Sequence, residues 1–274
     1  MTLLSVVQMN SQNDIEANFN VMESLLRQSK AQGASCIVFP ENFVCFAAGK
    51  QRETAERFDE FKQRLEALAY QYQIWIIAGT LPCPYRPNGR IVPDGRVRTT
   101  SLCISPEKTE ARYDKIHLFD VQVADGVGGY QESKNFEPGD QVVVAQTPFG
   151  HIGLMVCYDL RFPELALTLR QRGAHILTAP AAFTYTTGEM HWQLLLQARA
   201  MDSQCQVLGA AQQGWHGEKR QTWGHAAASN SHGQILDLID SEGAALITVP
   251  FDLAEQEKIR QSMPLIQHRR LIGY

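Results

Sequence analysis

Positive charge is in short supply in this chain. Its 274 residues carry 25 Lys and Arg against 29 Asp and Glu, a formal net charge of -4. That balance supplies no basic surface for nucleic acid and no polybasic patch for a membrane. Long apolar runs are absent as well, and none approaches the roughly 20 residues of a membrane-spanning helix. The opening MTLLSVVQMN has no basic region and no small-residue cleavage site, so no export signal is expected. The six cysteines (Cys36, Cys45, Cys83, Cys103, Cys157 and Cys205) form no C-x-x-C pair and no cluster with histidine at zinc-finger spacing, and H-E-x-x-H is absent. A cytoplasmic protein with reduced thiols and no metal is therefore expected. Five of the six cysteines then need no more explanation than small buried hydrophobes.

What is present reads as a globular protein, with 44% hydrophobic and 20% charged residues. The length suits one large or two small domains. Strand-like and helix-like segments alternate at the start: a strand at 3–9, a helix at 14–32 with Phe19, Met22, Leu25 and Leu26 on one stripe, a strand at 36–39, a helix at 53–72 and a strand at 74–79. That β-α-β-α-β order favours a parallel or mixed sheet. Residues 81–96 read as a hairpin-like loop, 97–104 and 110–116 as strands, and 119–139 as a long, irregular, Gly-rich loop. Strands at 151–157, 175–179 and 206–211 then alternate with helices at 163–172 and 189–203. Three more strands at 225–229, 234–239 and 245–249 precede a last helix at 252–261. No stretch has linker composition. One domain over 1–274 is expected, an α/β fold of two packed sheets with helices outside.

The segment GHIGLMVCYDLRFPEL puts Cys157 at the end of a strand, and Pro163 and Glu164 suit the first turn of the next helix. A thiol on such an elbow can face backbone N–H groups, and the helix N-terminus would lower its pKa. A buried structural cysteine fits the same local pattern about equally well. In IVFPENF, Glu41 follows an apolar strand and a proline, at the strand edge where α/β folds build sites; a solvated loop carboxylate is the plainer alternative. In RYDKIHLFD, Lys115 lies among apolar neighbours and is a candidate for a buried ammonium, or else a surface lysine paired with Asp114 or Asp120.

Together FPEN, YDKIHLFD and CYDLRFPE stand in the order and approximate separation of the nitrilase-like carbon–nitrogen hydrolases, and the resemblance runs from Leu3 to the tail MPLIQHRR. It implies a four-layer α-β-β-α sandwich that dimerises across the helical face beside the nucleophile. It also implies a cofactor-free thiol amidase acting on a small-molecule amide. Cys157 would be the nucleophile, Glu41 the general base, and Lys115 with the Tyr158 N–H the oxyanion donors. A second glutamate is implied on the loop after the lysine; Glu132 in GYQESKNFEPGD matches it, with Glu137 competing. The stretches TTGEMHW, AAQQGWHGEKR and QHRR resemble the branch of deaminated glutathione amidases, whereas CYD-x-RF and QESK-x-x-x-PGD are shared with omega-amidases. GHAAASNSHG (224–233) departs from the family pattern, which has a proline there.

An α-keto acid end of the substrate needs a cationic anchor. Arg161 on the elbow is the candidate, unless it pairs with Asp159 or Glu164. Thr187, in the loop before helix 189–203, is a second donor. Phe183, His191 and Trp192 are candidate pocket walls, with His191 read first as structural. The segment His216-Gly-Glu-Lys-Arg220 supplies polar and cationic groups for the carboxylate of a leaving dipeptide, or is a flexible surface loop. Two other classes are weaker: a non-catalytic binding subunit would have lost one of the three motif residues, and a redox sensor would want a resolving cysteine near Cys157.

Overall fold

The computed structural model describes residues 1–123, 128–218 and 220–271. The first strand, β1 (Thr2–Met9), is buried on both faces: Leu4 and Val6 point one way, Val7 and Met9 the other. Helix α1 (Ile15–Ala31) starts at Asp14, whose carboxylate accepts from the Ala17 N–H, and it buries Phe19, Met22, Leu25 and Leu26. Strand β2 (Cys36–Val38) then pairs parallel with β1. The helix expected at 53–72 is two helices, α2 (Gln51–Glu56) and α3 (Phe58–Tyr72). Arg57 separates them at φ -99°, ψ 13°, and its N–H bonds back to Thr54 O, a tightened turn that ends the first helix. Strand β3 (Trp75–Cys83) outruns its expected end, because a register shift between Ala78 and Leu81 keeps it paired with β4 (Arg98–Ile104) through Cys83. Strand β5 (Thr109–Asp114) completes this meander.

The segment expected to be irregular contains a two-stranded ribbon, β6 (Asp120–Val123) with β7 (Gly128–Gln131). Its glycines have little strand propensity, which hid it; the expected loop residues Asp125 and Gly126 lie outside the described residues. Next come β8 (Val144–Ala145), β9 (Ile152–Leu154), α4 (Pro163–Gln171) and β10 (Ile176–Thr178). Helix α5 (Tyr185–Ser203) starts four residues before the expected position. Thr184 caps it, and Gly188 lies inside it rather than before it: a Cβ there would sit 2.2 Å from Trp223 Cβ, so the glycine permits close packing. The single strand expected at 206–211 is two, β11 (Gln206–Gly209) and β12 (Ala211–His216), and the chain changes sheets at Ala210. Strands β13 (Arg220–Trp223), β14 (Ala227–Ser229), β15 (Ile235–Leu238) and β16 (Ala245–Phe251) follow, then α6 (Leu253–Ser262) and α7 (Leu265–His268). The atypical 224–233 stretch still forms a strand and turn, with a register shift at Ala228/Ser229.

One mixed sheet runs β13-β12-β1-β2-β3-β4-β5, with β16 also on β1; the other runs β15-β14-β11-β10-β9-β8. One core joins the facing sides of the two sheets and continues onto α4 and α5: Leu4, Val6 and Val38 pack in it with Leu154, Ile176 and Val207, and with Leu169 and Leu196. A second core lies between the other side of the first sheet and helices α1 and α3, through Val7, Ile37 and Ile76 with Phe19, Phe61 and Leu65. The layers are therefore α-β-β-α, as expected. No described helix is long and apolar enough to cross a membrane.

Candidate active site

Three strand ends and one ribbon bring the charged groups together. Glu41 follows β2, and its loop lies directly on β3: a Cβ on Gly79 would sit 1.9 Å from Pro40 O, so only glycine allows the approach. The Glu41 carbonyl accepts from Gln212 Nε2 at 3.0 Å, which ties the loop to β12. Lys115 follows β5 and is anchored at both backbone groups: its N–H bonds to Thr99 O and its C=O accepts from Gly139 N–H. Cys157 opens a tight turn over Cys157–Arg161. It adopts φ +49°, a left-handed conformation that is strained for a residue with a Cβ and found at functional elbows. The strand expected to reach Cys157 ends at Leu154.

The Lys115 ammonium is 2% exposed. It donates to Glu41 Oε1 at 2.9 Å and to both oxygens of Glu132 at 2.9 Å. Glu132 begins the turn after β7 and also accepts from the Phe119 N–H at 2.7 Å. Glu137, the competing candidate, is engaged elsewhere, with Arg86 and Arg98. Those partners, the Arg86 hydrogen bond first, hold its carboxyl at about 2. Asp114, the alternative partner for Lys115, pairs instead with Arg112 and Thr100.

Burial weighs against the Lys115 ammonium, but Glu132, Glu41 and the Cys157 sulfur together outweigh it, and its pKa stands well above the ordinary lysine value. Burial raises Glu132, with Glu41 adding to it and Lys115 opposing. For Cys157 the expected lowering is reversed. Burial, then the Glu41 carboxylate, push its thiol well above the usual range, and Lys115 pulls the other way without prevailing. The turn at Cys157 supplies too little helix field to offset desolvation of a group that is 7% exposed. That direction favours the thiol over the thiolate at neutral pH.

Sulfur, lysine and both carboxylates line one cavity of about 240 Å³, the scale of a small metabolite rather than a polypeptide. Among the described residues, no group of His, Cys, Asp and Glu is arranged to hold a metal ion. Among the described residues the Tyr158 N–H has no protein acceptor, whereas the Cys157 N–H is taken by Pro180 O. Arg161, Phe183 and Thr187 line the cavity as expected. Arg161 does not pair with Asp159 or Glu164. Its Nη1 meets His191 Nδ1 at 3.2 Å, and its guanidinium lies 5.3 Å from the Phe183 ring. Thr187 is in the first turn of α5, with its hydroxyl 2.9 Å from that of Thr184. His191 and Trp192 do not line the cavity. The helix starts early, so its turn carries them behind the wall: His191 backs Arg161, and Trp192 packs on Phe183 with its indole N–H donating to His225 O.

Asp159 was not singled out from the sequence, although it lies inside the CYD motif. Its fully buried carboxylate accepts from Val156 N–H at 2.8 Å and Tyr113 OH at 2.7 Å on Oδ2, and meets His117 N–H at 3.1 Å and His117 Nδ1 at 2.7 Å on Oδ1. It thus clamps both flanks of Lys115 to the Cys157 elbow.

The chain matches the family described as "Carbon-nitrogen hydrolase" over residues 3–261. It is 38% identical to a protein of Yersinia enterocolitica named "Deaminated glutathione amidase", over 98% of this chain and 93% of that one. Among solved structures, the Caenorhabditis elegans NitFhit protein superposes with a TM-score of 0.88 at 34% identity, over 98% of this chain and 65% of that longer one. Saccharomyces cerevisiae Nit3, described as a member of the nitrilase superfamily, gives 0.85 at 28% identity, over 98% and 97%. With the motifs on three strand ends, the α-β-β-α layers and these matches, the chain belongs to the carbon–nitrogen hydrolase family.

Proposed function

We propose that this chain is a thiol amidase that hydrolyses deaminated glutathione to 2-oxoglutarate and cysteinylglycine. Glu41 takes the Cys157 proton as the sulfur attacks the amide carbon. The Lys115 ammonium and the Tyr158 N–H donate to the developing oxyanion. The C–N bond breaks, Glu41 returns the proton to the leaving amine, and a thioester remains. Glu41 then deprotonates a water that attacks the thioester, and the Cys157 sulfur leaves and recovers its proton. Glu132 holds the Lys115 ammonium in place. The raised pKa of Lys115 suits a fixed charge rather than a proton carrier, and the raised pKa of Cys157 is why a base is needed. Arg161 and Thr187 take the keto-acid end of the substrate.

The observation that carries the chemistry is the bonding of one buried ammonium to Glu41 and Glu132 beside Cys157 in a single cavity. The substrate rests on the 38% identical relative of that name. A cytoplasmic setting is supported by six unpaired cysteines. A homodimer across α5 is supported by Met190, Leu194 and Met201, which are exposed along that helix. The test is kcat/KM with product identification for deaminated glutathione, α-ketoglutaramate and intact glutathione, with Cys157→Ala as the inactive control. Deaminated glutathione should lead. If α-ketoglutaramate leads by about tenfold, roughly 1.4 kcal/mol of transition-state binding, an omega-amidase replaces this reading.

A further inference from the structure

The cavity holds a cation that the amidase chemistry leaves unused. Arg220 opens β13, and its guanidinium lines the cavity with its centre 4.7 Å from the Phe46 ring and 5.4 Å from the Tyr130 ring. Stacking of this kind holds the planar group while leaving its edge donors free. Its only hydrogen bond among the described residues is a long one, 3.4 Å from Nη2 to Ala182 O, and its Nε is buried with no acceptor. Among the described residues no carboxylate pairs with it; Glu41 and Glu132 are both committed to Lys115. The guanidinium is half-buried, and its one buried donor left unmet is costly unless a ligand completes it.

Its position selects one end of the substrate. Arg161 rests near Phe183, on the elbow that carries the nucleophile. Arg220 rests on Phe46, five residues past Glu41 in the same loop. The β12–β13 hairpin is itself tied to that region: Gln212 bonds to the Glu41 carbonyl, and His216 bonds to Ser11 O and packs 4.2 Å from the Phe46 ring. Glu41 is the group that hands its proton to the leaving amine, so Arg220 stands on the leaving-group side. Of the 216–220 segment, His216 is buried and bonded at both ring nitrogens, Glu218 is exposed, and Lys219 lies outside the described residues.

We propose that Arg220 is the anchor for a carboxylate on the amine half of the substrate, so that the cavity selects amides carrying an acid on each side of the scissile bond. This rests on the amidase reading and names the feature of the leaving group that the site recognises. The experiment uses two amides with the same 2-oxoglutarate acyl group, one releasing cysteinylglycine and the other releasing its C-terminal carboxamide. Both are assayed with wild type, Arg220→Met and Arg220→Lys. Wild type should favour the acid roughly thirtyfold, the scale of a charge-assisted hydrogen bond. Arg220→Met should erase that preference, mainly by raising KM for the acid, and should lower kcat/KM far more for the acid than for the carboxamide. Arg220→Lys should retain part of the preference. Equal losses on both substrates, or a preference surviving in Arg220→Met, would overturn the proposal. If wild type cleaves neither amide, the amidase substrate reading fails by itself. Calorimetric titration of cysteinylglycine then decides on the anchor: binding weakened by Arg220→Met sustains it, and unchanged or absent binding overturns it.

Discussion

The Asp159 clamp makes a quantitative expectation possible. Asp159→Asn keeps the side-chain shape but replaces one oxygen by an NH2 group. Either orientation sets that NH2 against two donors: Val156 N–H and Tyr113 OH, or the two His117 nitrogens. The Tyr113 hydroxyl can turn and His117 can change tautomer, but the Val156 or His117 backbone N–H cannot. Two charge-assisted hydrogen bonds are weakened or lost, and each contributes about 1.5–3 kcal/mol. Asp159→Asn should therefore destabilise the protein by about 4 kcal/mol. The corresponding change at Glu255, Glu255→Gln, whose carboxylate pairs with Lys258 at 3.4 Å on the surface, should cost less than about 1 kcal/mol. Urea unfolding of both variants at pH 7 gives the comparison. Because the clamp joins the Lys115 loop to the Cys157 elbow, Asp159→Asn assayed well below its melting temperature should lose kcat by more than about tenfold, on the argument that a misplaced oxyanion donor loses most of its effect. A stability loss under about 1 kcal/mol together with an unchanged kcat would refute both the bond count and the positioning role.

Lys115→Arg should lower kcat/KM at least about a hundredfold, because a planar fork cannot take the place of a compact ammonium between two carboxylates; retention of more than about a tenth of wild-type activity in steady-state assays would contradict the oxyanion role. His216 should make the fold acid-sensitive. Burial lowers its pKa from 6.5 to about 4, so between those values the unfolded chain takes up a proton that the folded one refuses. Stability is fully present above pH 6.5 and is lost as pH falls through that window, by about 3 kcal/mol from this group. Urea unfolding at pH 7, 5.5 and 4 should therefore show a shallower acid decline for His216→Gln than for wild type, and parallel declines would count against the assignment.

The amino-acid order by itself showed alternating strands and helices from β1 to α3 and two packed sheets with helices outside. Taken singly, Glu41, Lys115 and Cys157 each had a plainer structural reading; it was the resemblance of FPEN, YDKIHLFD and CYDLRFPE together to the carbon–nitrogen hydrolases that implied their roles and the four-layer order. Burial, partner choice and route through the fold were decided only in three dimensions. One apolar run, 206–211, serves two sheets, because local pattern does not say which neighbour a strand will find. The sequence preferred Glu132 over Glu137, which lies beside a Pro138-Gly139 turn signal, but only the fold shows that one meets Lys115 and the other meets Arg86 and Arg98. The Cys157 pKa was expected to fall and instead rises, since desolvation and the Glu41 charge come from distant segments and exceed the field of a short turn. Asp159, His191 and Arg220 took their places for the same reason. Each is defined by donors, rings or empty space contributed by residues remote along the chain, and only the packed sheets bring those into contact.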